Sequence, residues 1–308
     1  MTTSDSDLPF PPTDAYVELS LLDGGSFTAS TAKLHAGVED TAFRLYDWSF
    51  YIHEPKSGRH VLWDVGISSE RDDYTPWVQK FMLDDTQAVE QRGVKPEDVD
   101  TVIFSHAHWD HARPISHVFS NALGYFGPGT AAHCTPGHLT GGLVQWDGRF
   151  FDPSPTHRTE RWTTLPGPWI PLGSFPRAMD FFGNGALWIL DAPGHLPGNL
   201  CAAARVASGA WVLLGSDCCH SMAILEGRAE IAEFALPDGT RTSLMADIPA
   251  AKETIGRLRG LVRQGAHLAL AHDTSWMREV GGDEVLMGFL DGGMREFVRD
   301  RLAREEVP

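Results

Sequence analysis

The residues of this chain with the most chemistry per unit length are His106, His108, Asp110 and His111, in the stretch Ser105-His106-Ala107-His108-Trp109-Asp110-His111. Neutral imidazoles and a carboxylate are the ligands that a borderline ion such as Zn2+ takes. Alternation along extended backbone puts His106 and His108 on one side, leaving Asp110 and His111 to reach a second ion beside the first. Three later positions again place an imidazole or an acid just after an apolar run. His195 lies in Pro193-Gly194-His195-Leu196-Pro197-Gly198 after Ala186–Leu190. Asp217 follows Trp211-Val212-Leu213-Leu214-Gly215-Ser216, and His272-Asp273 follows His267-Leu268-Ala269-Leu270-Ala271. Alone, each is an ordinary cap or turn residue. Together they are strand ends that each deliver a ligand.

The elements that must position these residues are legible in outline. Thr101–Phe104 is a short, β-branched apolar run of the kind that forms a buried strand, and it leads directly into the histidine motif. Tyr16–Leu22, Thr41–His53 and His60–Val65 read as strands separated by turns at Gly24-Gly25 and Lys56-Ser57-Gly58, an antiparallel meander. Residues 125–134 and 178–191 also read as strands. Residues 147–176, with six prolines, read as an irregular surface segment. Ala186–Leu190, Leu200–Val206, Ala210–Leu214 and His267–Ala271 form a second strand group. Ile248–Val262 reads as an amphipathic helix and residues 283–305 as closing helices. Residues 1–15 look like a polar, proline-bearing arm. In 67–93, Tyr74, Trp77, Phe81 and Met82 fall at helical spacing, an insert near the mouth of the site. Strands in both halves with helices after each predict an α/β fold, two central sheets with helices outside.

Composition narrows the function classes. Across 308 residues, 25 Lys+Arg face 41 Asp+Glu, a formal charge of −16. Nucleic acid and anionic membranes need clustered cations, so both are disfavoured as partners. The N-terminal stretch has acids and prolines where a secretory signal needs a cationic start and an apolar run. No apolar stretch approaches the ~20 residues of a membrane helix. Four cysteines, Cys134, Cys201, Cys218 and Cys219, contain no C-x-x-C pair and make no disulfide framework. A soluble, reduced, cytoplasmic protein is expected.

The ordered set H-x-H-x-D-H, then His, Asp and His, resembles the metallo-β-lactamase superfamily over roughly residues 16–280. That resemblance implies a four-layer αβ/βα sandwich with a metal site along one edge. It makes His106, His108 and His195 ligands of one metal and Asp110, His111 and His272 ligands of the other, with Asp217 bridging. Two Zn2+ ions are implied, with Mn or Fe as other divalent candidates, sharing a hydroxide that attacks a carbonyl while Asp110 orients it or accepts its proton. Because these ligands come from both halves, residues 1–308 read as a single layered domain. Members that process RNA carry extra domains and basic surfaces; this acidic chain looks more like the N-acyl homoserine lactonases and related lactone or lactam hydrolases. Those lactonases often have tyrosine three residues after the bridging aspartate, where this chain has His220. A histidine there is either a proton donor to the leaving group or a mere neighbour. The other eight histidines read as ordinary surface or supporting residues.

The expected activity is therefore metal-dependent hydrolysis of a small cyclic ester or amide, on a neutral or apolar small molecule. An acyl thioesterase is the alternative, followed by an iron-dependent oxygenase and by a metal-stabilised binding protein. Trp109, Trp146, Trp162, Trp169, Phe181 and Phe182 are candidates for the pocket wall. The apolar residues of 67–93 leave a homodimer open.

Overall fold

Two six-stranded sheets share one core in the computed structural model, which describes residues 8–88, 94–278, 281–290, 292–300 and 302. The first sheet runs in chain order: β1 Glu18–Ser30, β2 Ala42–Glu54, β3 Arg59–Trp63, β4 Thr101–Ile103, β5 Leu123–Phe126 and β6 Trp162–Thr164. Its first three strands are antiparallel, and β3 to β6 are parallel. The second sheet is a meander of β7 Ile170–Leu172, β8 Phe175–Asp180, β9 Leu187–Asp191, β10 Leu200–Arg205 and β11 Trp211–Leu214. After the small hairpin of β12 Phe234–Ala235 and β13 Arg241–Thr242, β14 His267–Ala269 adds parallel to β11.

Period-two alternation explains the layers. On β2, Tyr46, Trp48, Phe50 and Ile52 enter the core between the sheets. On β9, β10 and β11, Leu187, Ile189, Leu200, Ala202, Val212 and Leu214 meet them from the other side. The alternate residues Trp188, Leu190, Cys201, Ala203 and Leu213 face outward, where Ile255, Leu258 and Leu261 of the helix Ile248–Arg263 cover them. On the first sheet, Leu62, Val102, Phe104 and Phe126 are covered by Ile115, Phe119, Phe150 and Phe151. The result is the predicted order of layers, with both faces of the inner strands buried, as parallel strands require.

Several elements differ from the sequence reading. Residues 125–134 are not one strand: β5 ends at Phe126, and Gly129, at φ +99°, opens the helix Thr130–Cys134. Residues 178–191 are two strands broken at 181–186. The proline-rich 147–176 segment is more regular than expected, supplying the helix Gly148–Phe151 and the edge strands β6 and β7. Prolines are tolerated at edges because no neighbour needs their missing N–H. Gly24-Gly25 is a bulge inside the long β1, not a turn between strands. Phe10 stacks on Trp211 at 3.9 Å between ring centroids, so Leu8 and Phe10 pack on the second sheet's outer face, while Ala15 packs against the core between the sheets. Within 67–93, the α-helix among the described residues is Pro76–Phe81, flanked by 3-10 turns at Arg71–Asp73 and Leu83–Asp85, and 89–93 lie outside the described residues. Of the closing helices, Glu284–Met287 and Gly292–Asp300 are present, and residues 291, 301 and 303–308 lie outside the described residues.

One glycine fixes the loop between β9 and β10. Gly194 has φ +133°, and a Cβ there would lie 2.3 Å from both Cα and N of Ala251 in the long helix. The loop is pinned there by Asp247 N–H donating to the Gly194 carbonyl at 2.9 Å. Gly194→Ala is expected to cost about 1–3 kcal/mol in urea unfolding. Gly256→Ala on the same helix, exposed and with nothing within 4 Å, is expected to add about 0.5–1 kcal/mol instead.

Candidate metal centre

Asp64 follows β3, His106 follows β4, His195 follows β9, Asp217 follows β11 and His272 follows β14. These strands end at the same side of the sandwich, and two cross-sheet hydrogen bonds tie the ends together. Leu200 N–H donates to the Ser105 carbonyl at 2.8 Å, and Trp48 N–H donates to the Ala271 carbonyl at 2.9 Å. The seven residues singled out from sequence thus meet in one place.

In the first group, His106 Nε2, His108 Nδ1 and His195 Nε2 lie 2.8, 3.0 and 3.2 Å from one another. Asp217 Oδ2 is 3.5 Å from His195 and 3.9 Å from His106, and one ligand atom from each of the four lies within 4.8 Å of the others. In the second group, Asp217 Oδ1 is 3.3 Å from His111 Nε2 and 3.2 Å from His272 Nε2. Asp110 Oδ2 completes it at 3.8 and 3.7 Å from the same two atoms. The Asp217 carboxylate therefore has one oxygen on each group.

Two acids that the sequence reading missed support or join this cluster. Asp64, fully buried, accepts from Ser105 N–H with Oδ1 and lies 3.0 Å from His111 Nδ1 with Oδ2. It turns the other ring nitrogen of His111 toward the centre, as a carboxylate behind a metal-binding histidine does. The Tyr46 carbonyl does the same for His272, 2.7 Å from its Nδ1. Asp64 also holds φ +60°, a conformation rare for a residue with a side chain. Asp47, mid-strand on β2, is also buried, and its carboxylate forms a further group with His111 and His272. Asp64 ends the apolar run Val61-Leu62-Trp63 and could have been found by the strand-end pattern, whereas Asp47 lies inside a strand with no such signal.

The protein's own charges make the two groups unlike. Burial, the largest influence, pushes His106 and His195 well below the ordinary imidazole range and His108 down to about 4. Burial acts the same way on His111 and His272, but Asp217, Asp110 and Asp47 outweigh it; His272 rises to about 9 and His111 is held well above its usual value. Burial raises Asp47 well above the carboxylate range, whereas His272 and His111 overcome burial at Asp217 and hold it well below.

The donor set fits metal ions. Three imidazole nitrogens converging at 2.8–3.2 Å cannot all satisfy one another, since the N–H of one serves the lone pair of only one other and the third is left over. Bonds of ~2.05 Å in a tetrahedron would separate such nitrogens by about 3.3 Å, close to what is present. Buried His195 Nδ1 and Asp217 Oδ1 have no hydrogen-bond partner among the described residues.

The two groups open onto a cavity of about 750 Å3. His108, Asp110, His195, Asp217, His220 and His272 line its floor, and Phe27, Trp77, Met82, Trp109, Phe234 and Leu244 line its walls. His220 Nε2 lies 3.3 Å from Asp217 Oδ2. Of the expected wall aromatics, only Trp109 lines the cavity. Trp146 stacks beside His108 at 5.9 Å, Trp162 packs outside the first sheet, and Trp169, Phe181 and Phe182 pack against the inter-sheet core. Phe27 on β1 and Phe234 on β12, both distant in sequence from the motif, take the places those residues do not fill. His35, read as ordinary, is 2.8 Å from Ser221 Oγ, outside the centre.

Residues 44–115 match the pattern of the Metallo-beta-lactamase superfamily. The chain is 31% identical over 185 residues to the metallo-hydrolase mfmC of Annulohypoxylon moriforme, covering 54% of this chain and 47% of that protein. It is 26% identical over 302 residues to the cytochrome P450 monooxygenase mpaDE' of Penicillium brevicompactum, covering 87% of this chain but 35% of that protein. It is 28% identical over 148 residues to the gamma-lactamase MBL2 of Gibberella moniliformis, covering 46% of this chain and 58% of that protein. The chain thus spans about half or less of the length of these first two relatives. A solved N-acyl homoserine lactone hydrolase, with the product N-hexanoyl-L-homoserine bound at its catalytic metal centre, shares the fold. Its TM-score is 0.60 at 16% identity, covering 84% of this chain and 94% of that one. The segment that matches the Metallo-beta-lactamase superfamily model runs from β2 through the histidine motif, and the chain around it shares the fold of the solved lactone hydrolase.

Proposed function

We propose that this protein is a two-metal hydrolase that opens a cyclic ester or cyclic amide with an apolar or aromatic body. The observation that carries this reading is the pair of ligand groups joined by Asp217 at the floor of an apolar-walled cavity. His106, His108 and His195 would hold one ion, Asp110, His111 and His272 the other, and Asp217 both. When bound, two such ions supply Lewis acidity and lower the pKa of water at neutral pH, with Zn2+ the ion best matched to imidazole. The gamma-lactamase and metallo-hydrolase relatives, and the fold shared with a lactone hydrolase, support this substrate class. A cavity of about 750 Å3 is within the usual range for binding drug-sized molecules.

The chain's own residues divide the remaining work. Trp109, Trp77 and Phe27 offer flat apolar surface against which the ring or tail of the substrate is seated. Asp110 stands at the cavity floor, placed to accept a proton from the attacking water. His220, on the other side of Asp217, faces the same space and donates a proton to the departing oxygen or nitrogen. Asp64 and the Tyr46 carbonyl keep His111 and His272 aimed inward. Ligands from both halves of the chain support one layered domain.

A panel of aryl- and alkyl-substituted lactones, γ-lactams and thioesters, with metal content measured on the same preparation, tests the reading. Ring opening is expected on lactones or lactams, and turnover confined to thioesters would replace it with the thioesterase alternative. Asp110→Asn is expected to abolish most ring opening; unaltered rates with both ions retained would sink the proton role of Asp110. His220→Phe is expected to lower kcat by about 100-fold with two ions still bound. Asp64→Ala leaves His111 unsupported and is expected to weaken metal binding by about 10–100-fold in a competition titration.

A further inference from the structure

Asp47 stands in the middle of a long strand, where a carboxylate is hardest to accommodate. It is completely buried, and neither carboxylate oxygen has a hydrogen-bond donor among the described residues. Gly24, on the adjacent β1, faces it without a side chain: a Cβ there would lie 2.7 Å from the Asp47 carbonyl and 3.0 Å from its Oδ2. Space for the carboxylate is thus kept open, but no N–H or O–H is supplied to it. A carboxylate left in that state must either take up a proton or have a cation beside it. The described groups nearest in function are His111 and His272, whose Nδ1 atoms are already occupied by Asp64 and by the Tyr46 carbonyl. One ligand atom each from Asp47, His111 and His272 lies within 4.8 Å of the other two.

We propose that Asp47 is an additional protein ligand of the second metal position, making that position oxygen-rich. It then has Asp47, Asp110 and Asp217 beside two imidazoles, where the first position has three imidazoles and the shared Asp217. Carboxylates favour harder ions such as Mn2+ and imidazoles favour Zn2+, so the two positions differ in metal preference. The proposal rests on the two-metal reading above, and its test separates the two.

The full-length chain is stripped with a chelator, and Zn2+ and Mn2+ are titrated separately into the wild type and the isosteric variant Asp47→Asn, with bound metal counted by elemental analysis. The wild type is expected to take two ions, Mn2+ entering one position selectively. Asp47→Asn is expected to weaken that position by about 10–100-fold, more for Mn2+ than for Zn2+, and to leave the other unchanged. Two ions bound to the variant with wild-type affinities would overturn the role of Asp47 while leaving the two-metal reading intact. A wild type that binds fewer than two ions would defeat the underlying reading itself. A crystal structure of the Mn2+- and Zn2+-loaded wild type decides the matter without any variant. An Asp47 oxygen at bonding distance, ~2.0–2.2 Å, supports the proposal, and one farther than about 3 Å from both ions overturns it.

Discussion

Everything in this fold depends on holding several imidazoles and carboxylates much closer together than they would stand in water. Three ring nitrogens within 3.2 Å of each other, next to a carboxylate divided between two groups, are tolerable only because rigid strand ends hold them there. Each strand that ends at the centre is anchored in a buried apolar layer, so the cost of crowding the polar ends is spread through the whole core. Cross-sheet hydrogen bonds from Leu200 to Ser105 and from Trp48 to Ala271 keep the two sheets from sliding relative to one another. A shift of an ångström there would separate the two ligand groups.

The two groups are not copies. The first is built of imidazoles that burial holds toward the neutral form, with one ring nitrogen of each facing the others. The second is built of imidazoles embedded among acids, which raise His111 and His272 despite the same burial. Asp217 couples the groups because its two oxygens face different partners. Asymmetry of this kind is useful in hydrolysis, where one side must activate water and the other must polarise the carbonyl or receive the leaving atom. The chain's net charge of −16 does not describe this cavity, whose walls are largely aromatic and aliphatic.

The outer parts of the site show how distant segments are recruited. Phe27 belongs to the first strand and Phe234 to a two-residue strand late in the chain, yet both face the same space as Trp109 in the histidine motif. Tyr74, Val78, Ile67 and Trp109 form a small apolar cluster that fastens the segment after β3 against the motif. That cluster puts Trp77 and Met82 on the cavity wall while Phe81, on the same short helix, remains exposed.

Sequence alone was enough for the layered α/β architecture and for the residues that converge at the centre, because both depend on local signals. Apolar runs of strand length, each ended by His or Asp, mark the strand and its C-terminal ligand together. Alternation then assigns each side chain to the inner or outer layer. Signals of the same local kind misled at 125–134, where Gly129 ends the strand pattern and starts a helix, and at 147–176, where prolines concealed two edge strands. Tertiary structure alone decided the rest. Asp47 has no distinctive neighbours and becomes notable only because β14 brings His272 beside it; which aromatics form the wall depends on how β1 and β12 fold over the motif. The candidate ligands are written in strand ends, whereas the surroundings of each are set by segments hundreds of residues apart in the chain, whose approach no local pattern encodes.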